Sequence, residues 1–226
     1  MNVFEDIWNV GGDYNFLTLA ATLEIVTIDA NDDASGTGAR TVLIEGLDAT
    51  GLEITETLSL VGSGTSSATS ASFLRVNKVK VITTGTVRGS NFNNMDIKVS
   101  GGGVILARIS GIGSTGNSNY GFGVSSNGIF SVPLGKTLLV KELIFNIGGG
   151  KTADIFIYTV SNIDDVSVPV SPKTLVLSID NLGGFNSQTL NTYTSIPEKS
   201  DVWIRASLSA GTDPVDVRMG IFLINS

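Results

Sequence analysis

The residues of this sequence whose types could bind a ligand are the carboxylates of one short acidic run. Asp29–Asp33 reads Asp-Ala-Asn-Asp-Asp, and carboxylate and amide oxygens are the ligands that Ca²⁺ prefers. The spacing departs from that of an EF-hand loop, because Ala34 occupies the position of the glycine and Arg40 that of the bidentate glutamate. The run therefore favours an acidic turn between two strands, and an irregular Ca²⁺ site at Asp29–Asp33 is the alternative.

A second group of acidic residues, Glu45, Glu53 and Glu56, lies in one predicted hairpin. Glycoside hydrolysis requires two carboxylates about 5–9 Å apart across a cleft. Side chains alternate along a strand, so Glu53 and Glu56 point to opposite faces of the sheet. Glu56 shares the apolar face, and we expect it to pair with Arg40, Arg75 or another base. No catalytic residue is predicted.

The absence of histidine and cysteine limits the chemistry further. Zinc and iron–sulfur sites depend on these side chains, a Ser-His-Asp triad cannot form, and disulfides cannot stabilise the fold. Residues 111–116 match the letters GxGxxG, but a dinucleotide site needs a helix to begin there and an acidic residue about twenty positions later. Residues 131–137 contain no acid. We therefore predict a linker there, and a protein with no enzymatic activity, metal or cofactor.

The net charge of −7 at pH 7 argues against nucleic acid as a partner, since phosphate contacts need clustered lysine and arginine. The 14 basic residues are scattered along the chain. No segment reaches the roughly 18 consecutive apolar residues of a membrane span. The first ten residues carry acids where a secretion signal carries basic residues. We expect a soluble protein that binds neither nucleic acid nor membrane.

The most regular element that could position these residues is a hairpin over 36–60. Its second arm alternates between apolar and polar residues from Leu52 to Leu60, which is typical of a half-buried strand. The arms meet at Asp48-Ala49-Thr50-Gly51. An aspartate followed by glycine supplies residues that tolerate positive φ where the chain reverses, so the run predicts two antiparallel strands.

Short strands with frequent turn signals continue along the chain, and segments of helical periodicity are missing. This pattern predicts an all-β fold, an antiparallel β-sandwich or jelly roll. Two runs, Leu74–Val81 and Leu138–Phe145, shift side-chain parity midway, as a β-bulge would cause. The later predicted strands include 138–147, 154–160, 174–180 and 189–196.

Each of these two runs is followed by a second run that begins Asp-Ile, at 96–99 and 154–157. We interpret the repetition as two similar β modules, an N-terminal sandwich over 17–110 and a jelly-roll-like module over 111–226. The alternatives are a chance similarity between strands and one sandwich into which both modules fuse.

Residues 1–16 form an apolar and aromatic arm that precedes these modules. Its candidate interface residues are Phe4, Ile7, Trp8, Tyr14 and Phe16. The stretch is too short for a stable isolated helix. It either packs back on its own domain or docks onto a neighbouring subunit, because aromatic side chains are strong interface anchors.

Aromatic residues later in the chain could stack against a sugar. The candidates for such a platform are Tyr120, Phe122, Tyr158, Tyr193 and Trp203. Aromatic residues on alternating strands are more often core or interface residues, so the platform is the weaker interpretation.

Several segments together resemble one protein family. GTGARTVLIEGLDATGLEITETLSL (36–60), followed by SFLRVNKVKVITTG (72–85), is similar to a segment of virion structural proteins of tailed phages, particularly those that infect cyanobacteria and other marine bacteria. FSVPLGKTLLVKELIF (130–145) resembles a strand entry in the same proteins, and IPEKSDVWIRASLSAGTDPVDVRMGIFLI (196–224) resembles their terminal hairpin. The order along the chain is the same, and the arm over 1–16 has no counterpart.

The resemblance implies a capsid decoration or cement protein, or a head-fibre subunit, built from jelly-roll-like sandwiches. Its partners would be the major capsid protein and copies of itself, as a homotrimer on the outer capsid surface of a virion assembled in the host cytoplasm. It implies no active-site residue. We expect a subunit that stabilises the shell by bridging neighbouring capsid subunits. The alternative is a head-fibre or tail module that binds a host receptor or glycan.

Overall fold

The computed structural model describes residues 4–86, 91–111, 123–164, 168, 170–209 and 215–226. Every regular element in these ranges is a β-strand, and all pairings between named strands are antiparallel. The predicted all-β, antiparallel fold is confirmed. The same ranges contain no helix that is long and apolar enough to cross a membrane.

In chain order the strands are β1 (Phe4–Asp6), β2 (Leu23–Thr27), β3 (Ala39–Leu47), β4 (Glu53–Ser59), β5 (Gly64–Thr65), β6 (Arg75–Thr84), β7 (Met95–Val99), β8 (Ile105–Ile109), β9 (Ile129–Ser131), β10 (Lys136–Ser161), β11 (Thr174–Ile196), β12 (Ser200–Leu208) and β13 (Val215–Asn225).

The chain divides into two compact units. The inserted unit comprises residues 15–127, and the C-terminal unit comprises residues 128–226 together with 1–14. The sequence instead predicts a boundary at 110/111 and a separate arm. The later boundary follows from backbone hydrogen bonds along β6, because the N–H of Val81 donates to the carbonyl oxygen of Gly123 at 2.7 Å and the N–H of Ser125 to that of Val79 at 2.8 Å.

The inserted unit contains two sheets. One has four strands in the order β5-β2-β7-β8, and the other has three in the order β4-β3-β6. Burial alternates along β2, as expected for a strand with one face in a core. The architecture is β-sandwich-like, and the jelly-roll connectivity stays a prediction. The largest fully buried side chains of this unit belong to Leu23, Ile25, Ile44, Leu47, Leu60, Phe73, Met95, Ile97, Leu106 and Ile109.

The hairpin predicted over 36–60 is β3 and β4. These strands pair from Thr41 opposite Ser59 to Leu47 opposite Glu53, and burial along β4 alternates as predicted. The Asp48 carboxylate closes the turn by accepting the N–H groups of Thr50 at 2.8 Å and Leu52 at 3.0 Å. Gly51 has a φ of +86°, which explains the glycine at this position.

Both predicted β-bulges are present. The register of β6 against β3 shifts between Val76 and Lys78, and the register of β10 shifts between Val140 and Glu142 against both of its neighbours. The extra residues, Asn77 and Lys141, move the following apolar side chains to the face of the preceding ones. The strands that follow these bulges are arranged differently, however, since β7 lies in another sheet from β6 while 154–157 belong to β10 itself.

The C-terminal unit is built on one long hairpin of β10 and β11. Strands β1, β12, β10 and β11 follow one another in its sheet, β13 pairs with β10, and β9 pairs with β12. The separate strands predicted over 138–147 and 154–160 are one strand of 26 residues, and those predicted over 174–180 and 189–196 are one of 23. The prediction of four strands here was wrong, because the glycines interrupt the apolar pattern but the same two strands pair again from Thr152 opposite Gly183.

Those glycines mark a change of partner along β10. The register jumps between Ile147 and Thr152, opposite Gly184 and Gly183, and Gly150 and Gly184 both have positive φ. Before the jump β10 pairs with β13, and after it with β12. Side chains from both halves of the hairpin share a single core cluster: Val132, Leu138, Val140, Leu143, Phe145, Ile147, Ala153, Ile155, Ile157, Leu182, Ile196, Val202, Ile204, Ala206 and Val217.

Candidate functional site

The described part of the N-terminal segment is a strand of the C-terminal unit. Phe4 pairs with Ser207 and Asp6 with Arg205. Beyond β1, the N–H of Ile7 donates to the carbonyl oxygen of Ile204 at 2.9 Å, and the carbonyl oxygen of Ile7 accepts from the N–H of Gly128 at 2.6 Å. Residues 4–7 therefore extend the sheet of their own chain.

A buried ion pair holds this segment. Arg205 Nε lies 3.0 Å from Asp6 Oδ1, with side-chain exposures of 19% and 5%, and the contact is an ion pair without hydrogen-bond alignment. Asp6 Oδ2 accepts the N–H of Tyr14 at 2.6 Å, and the Arg205 guanidinium also binds Asp13. Burial raises the pKa of Asp6 above its ordinary value, although the Tyr14 N–H and Arg205 oppose that rise.

The five predicted interface residues do not form one group. Phe4 is 46% exposed, Ile7 and Trp8 are half-buried, and Tyr14 is buried within the C-terminal unit. The Trp8 ring meets the Tyr14 ring edge-on, with centroids 5.0 Å apart. Phe16 belongs to the inserted unit, where the Arg75 guanidinium lies 5.2 Å from the centroid of its ring.

Trp8 caps the loop that follows it. Its indole N–H donates to the carbonyl oxygens of Gly11 and Gly12, at 3.0 and 3.1 Å. Both glycines have positive φ, which returns the chain towards Asp6 so that Tyr14 can donate to it. Of the predicted residues, Phe4 therefore offers the most accessible apolar surface.

Phe4 begins a row of aromatic rings across three strands. Its centroid lies 5.3 Å from that of Phe156, Phe156 lies 6.3 Å from Tyr158, and Tyr158 lies 5.8 Å from Trp203. The Lys173 ammonium sits 4.4 Å from the Tyr158 centroid, within the range of a cation–π contact. We call this set the aromatic row.

The aromatic row joins two of the residues predicted for a sugar platform, Tyr158 and Trp203. Tyr120, Phe122 and the side chain of Tyr193 lie outside the described residues. Sequence reasoning missed Phe156, although the alternation of 154–158 places it on the face of Tyr158 and away from the core residues of β10. Trp203 is buried and Lys173 lies over Tyr158, so the row is a packed seam whose Phe4 end is open.

The acidic run at 29–33 is tied into the loops of the inserted unit. Asp32 is fully buried and its carboxylate accepts the N–H groups of Ala39 and Phe92, each at 3.0 Å. Burial raises the pKa of Asp32, against the lowering effect of these N–H donors. Asp29 accepts from the Asn31 backbone at 2.9 Å and from the Asn93 amide at 2.9 Å, and these contacts lower its pKa in spite of partial burial.

These contacts describe an acidic turn. Asp33 accepts the N–H and hydroxyl of Ser35, so the three aspartates all act as hydrogen-bond acceptors. Within the described ranges, no three carboxylates are grouped so that they could hold a metal ion. The irregular Ca²⁺ site remains a prediction.

The predicted partner of Glu56 was wrong. Its two carboxylate oxygens accept the backbone N–H groups of Ser70 at 2.8 Å and Ala71 at 2.9 Å. The predicted bases bind carbonyl oxygens elsewhere, Arg40 that of Gly36 and Arg75 that of Leu17. Burial raises the pKa of Glu56, but the N–H donors of Ala71 and Ser70 lower it more, so that it lies below its ordinary value.

Replacing Glu56 with glutamine is expected to lower the free energy of unfolding by about 1–2 kcal/mol at neutral pH, because one backbone N–H loses a charged acceptor. The folded-state pKa of Glu56 lies below its unfolded value. Its contribution is therefore present above the ordinary pKa and is lost as pH falls through the folded pKa. Urea unfolding of the wild type and Glu56→Gln at decreasing pH should show the difference shrink. Glu53→Gln, on the exposed face of the same strand, is the control, and an equal loss there would contradict the assignment.

Comparisons with known proteins do not extend the resemblance. No family model matches the sequence, and no curated protein matches it significantly. The function is therefore argued from the residues themselves and from the geometry described above.

Proposed function

We propose that this chain is a non-enzymatic structural subunit of a phage virion that binds the outside of the capsid as a decoration or cement protein. It would bridge neighbouring capsid subunits and so stabilise the shell. Its partners would be the major capsid protein and copies of itself, and the family resemblance adds a homotrimer with jelly-roll-like modules. The outer surface of a particle assembled in the host cytoplasm would be its location.

The observation that carries this proposal is the use of carboxylates as loop ties. Asp29, Asp32, Asp33, Asp48 and Glu56 accept main-chain N–H groups, as described above. Glu24 does the same for Gly101 at 3.1 Å and Gly102 at 3.3 Å. Charge-assisted hydrogen bonds of this kind hold loops in one conformation. Carboxylates, which could serve catalysis elsewhere, thus hold the loops of this fold in place. A cementing subunit requires such a stable fold.

Exposed apolar side chains support a role in protein contacts. Single exposed apolar residues are ordinary, but here they occur on both units. The exposed Phe4 ring also contacts the rest of the aromatic row through Phe156. Aromatic anchors next to a packed apolar seam are typical of interface hot spots. Examples of such exposed side chains are Phe4, Leu19, Ile28, Val168, Phe185 and Phe222.

The proposal is tested by the place and number of copies on purified particles. Antibody labelling should mark the head, and quantitative mass spectrometry should find hundreds of copies per particle. A few copies confined to the tail tip would favour the alternative, a head-fibre or tail module that binds a host receptor or glycan. The observation that favours this alternative is the pairing of Tyr158 and Trp203 beside Lys173. Absence from the particle would overturn both.

The role of the N-terminal segment in capsid binding is tested by a point substitution and not by deletion. Removing residues 1–16 would strip β1 from its sheet and leave Arg205 without Asp6, so a loss of binding would not be informative. Phe4→Ala keeps the strand and removes the exposed ring. It should weaken binding to capsids that lack this protein, whereas Thr55→Ala, at an exposed polar position on β4 of the inserted unit, serves as the control. Equal binding by wild type and Phe4→Ala would remove Phe4 from the interface.

A further inference from the structure

Strand β11 forms an edge of the sheet in the C-terminal unit. It pairs with β10 between Thr174 and Ile196, with several register shifts, and among the described strands it has no second neighbour. The glycines at 183 and 184 divide it where β10 changes partner, so the first segment, Thr174–Leu182, is a nine-residue edge in its own right. An edge of this kind presents main-chain donors and acceptors to another strand.

This edge carries few of the charges and prolines that proteins usually place on edge strands, and its protection is two β-bulges. Natural edges carry charges or proline, contain β-bulges or are very short, and the register of this segment against β10 shifts between Leu175 and Leu177 and between Ile179 and Leu182. Thr174–Leu182 contains one ionisable residue, Asp180, and no proline. By contrast, the edge strand β4 of the inserted unit carries two glutamates in seven residues. Leu175 is 49% exposed on the open segment.

The charges around the segment are arranged symmetrically. Lys173 precedes the strand and Asp180 lies near its end, so the midpoint between them falls between Val176 and Leu177. Antiparallel pairing of two copies about that midpoint places Lys173 of each copy opposite Asp180 of the other. Opposite charges at directly facing positions stabilise a pair of strands, and like charges destabilise it.

The faces of the sheet agree with this register. Leu175 lies opposite Tyr158 and Ser178 opposite Phe156 within the chain, so both share the face of the aromatic row. Lys173 is on the same face, over the Tyr158 ring. In the symmetric pairing Leu175 of one copy faces Ser178 of the other. Leu175 and Ser178 share this face, although three positions separate them, because the register shift between Leu175 and Leu177 leaves Val176 as the extra residue of a β-bulge. Side chains of one face therefore meet side chains of that same face.

We propose that Thr174–Leu182 pairs antiparallel with the same segment of a second copy, around a twofold axis between Val176 and Leu177. Copies of a chain of net charge −7 repel one another. At this segment the two copies would instead attract each other through two Lys173–Asp180 pairs. The pairing continues the sheet from one copy to the next and covers Leu175. The inference does not depend on the capsid role and differs from the homotrimer that the family resemblance implies, and its test uses the purified chain alone.

The test is sedimentation of the purified full chain over a range of concentrations, with charge reversals. The wild type is expected to form a dimer. Asp180→Lys and Lys173→Asp each turn both symmetric pairs repulsive and should raise the dissociation constant about tenfold or more. The double reversal, Lys173→Asp with Asp180→Lys, restores opposite charges and should restore the dimer. Glu53→Lys changes the net charge as Asp180→Lys does, but on another edge, and should leave the dimer unchanged.

Three results would overturn the proposal: a wild type that stays monomeric, a mass of three chains, or a double reversal that is no tighter than the single ones. The altered residues are exposed, and far-UV circular dichroism checks that each variant is folded. A second measurement is independent of the variants. Hydrogen exchange of the amides of 174–182 should slow as concentration rises, while that of β4 should not change. If this test fails, the proposed function is unaffected, because it is tested separately by the location and copy number of the chain on purified particles.

Discussion

Gly46→Ala is expected to lower the free energy of unfolding by about 3 kcal/mol, near the upper end for overpacking of a core. Gly46 is buried near the C-terminal end of β3. A Cβ at this position would overlap the carbonyl oxygen of Arg75 and lie 2.9 Å from Cδ1 of Phe73. The Arg75 oxygen belongs to the backbone of β6, next to the bulge at Asn77, so relief requires two paired strands to separate.

The measurement is urea unfolding of Gly46→Ala beside Gly64→Ala as a matched control. A Cβ at Gly64 would meet Val61 at 3.6 Å, an ordinary van der Waals contact, so the expected change there is within about 0.5 kcal/mol. A Gly46→Ala variant as stable as the control would contradict the close approach of β3 and β6.

Arg205→Met is expected to destabilise the protein by about 3 kcal/mol at neutral pH. The substitution retains much of the apolar volume of the side chain and leaves Asp6 buried without its counter-charge. Removing one partner of a buried ion pair is strongly destabilising. Because Asp6 also holds the N–H of Tyr14, residues 4–14 should become more accessible to proteases.

The pH dependence of Arg205→Met distinguishes this cause from lost packing. Burial already raises the pKa of Asp6, and Arg205 is one of the groups that lower it, so the variant has an even higher pKa. A folded-state pKa above the unfolded value costs stability that is full at pH above the folded pKa, shrinks as pH falls through it and is gone below the unfolded pKa. The difference from wild type should therefore shrink on acidification, and a difference independent of pH would point to packing.

Arg218→Met is the control for the charge change. Its pair with Asp216 spans 3.5 Å and Arg218 is 72% exposed, and exposed ion pairs contribute about 0–1 kcal/mol. We expect a change within that range and the same protease pattern as wild type. A large loss there would mean that the net charge, not the burial of Asp6, controls stability.

Much of the fold was predictable from the sequence because the signals are local. Alternation over 52–60 reports which side chains face a core, and Asp48 and Gly51 carry the chemistry of the turn between β3 and β4. The parity shifts in Leu74–Val81 and Leu138–Phe145 predicted bulges at the correct places, since one extra residue reverses every later side chain. These features depend on residues within one or two strands.

The partners of the acidic residues were not predictable in the same way. Asp32 accepts N–H groups of Phe92 and Asn93, about 60 positions along the chain, and Asp6 meets Arg205 from almost the opposite end of the sequence. Charge suggested a base for Glu56, but the loop at 70–71 brought main-chain donors instead. A carboxylate accepts from either kind of donor, so its residue type does not select between them.

Local residue patterns were enough to predict an antiparallel all-β protein, the turn between β3 and β4 at Asp48–Gly51, and the absence of histidine and cysteine chemistry. Tertiary structure decided that the runs around Gly148–Gly150 are one strand, that the N-terminal residues belong with the C-terminal unit, and that β11 is left at an edge. The reason is physical: side-chain periodicity records which face is buried, whereas strand neighbours and hydrogen-bond partners depend on which distant segments the folded backbone brings together.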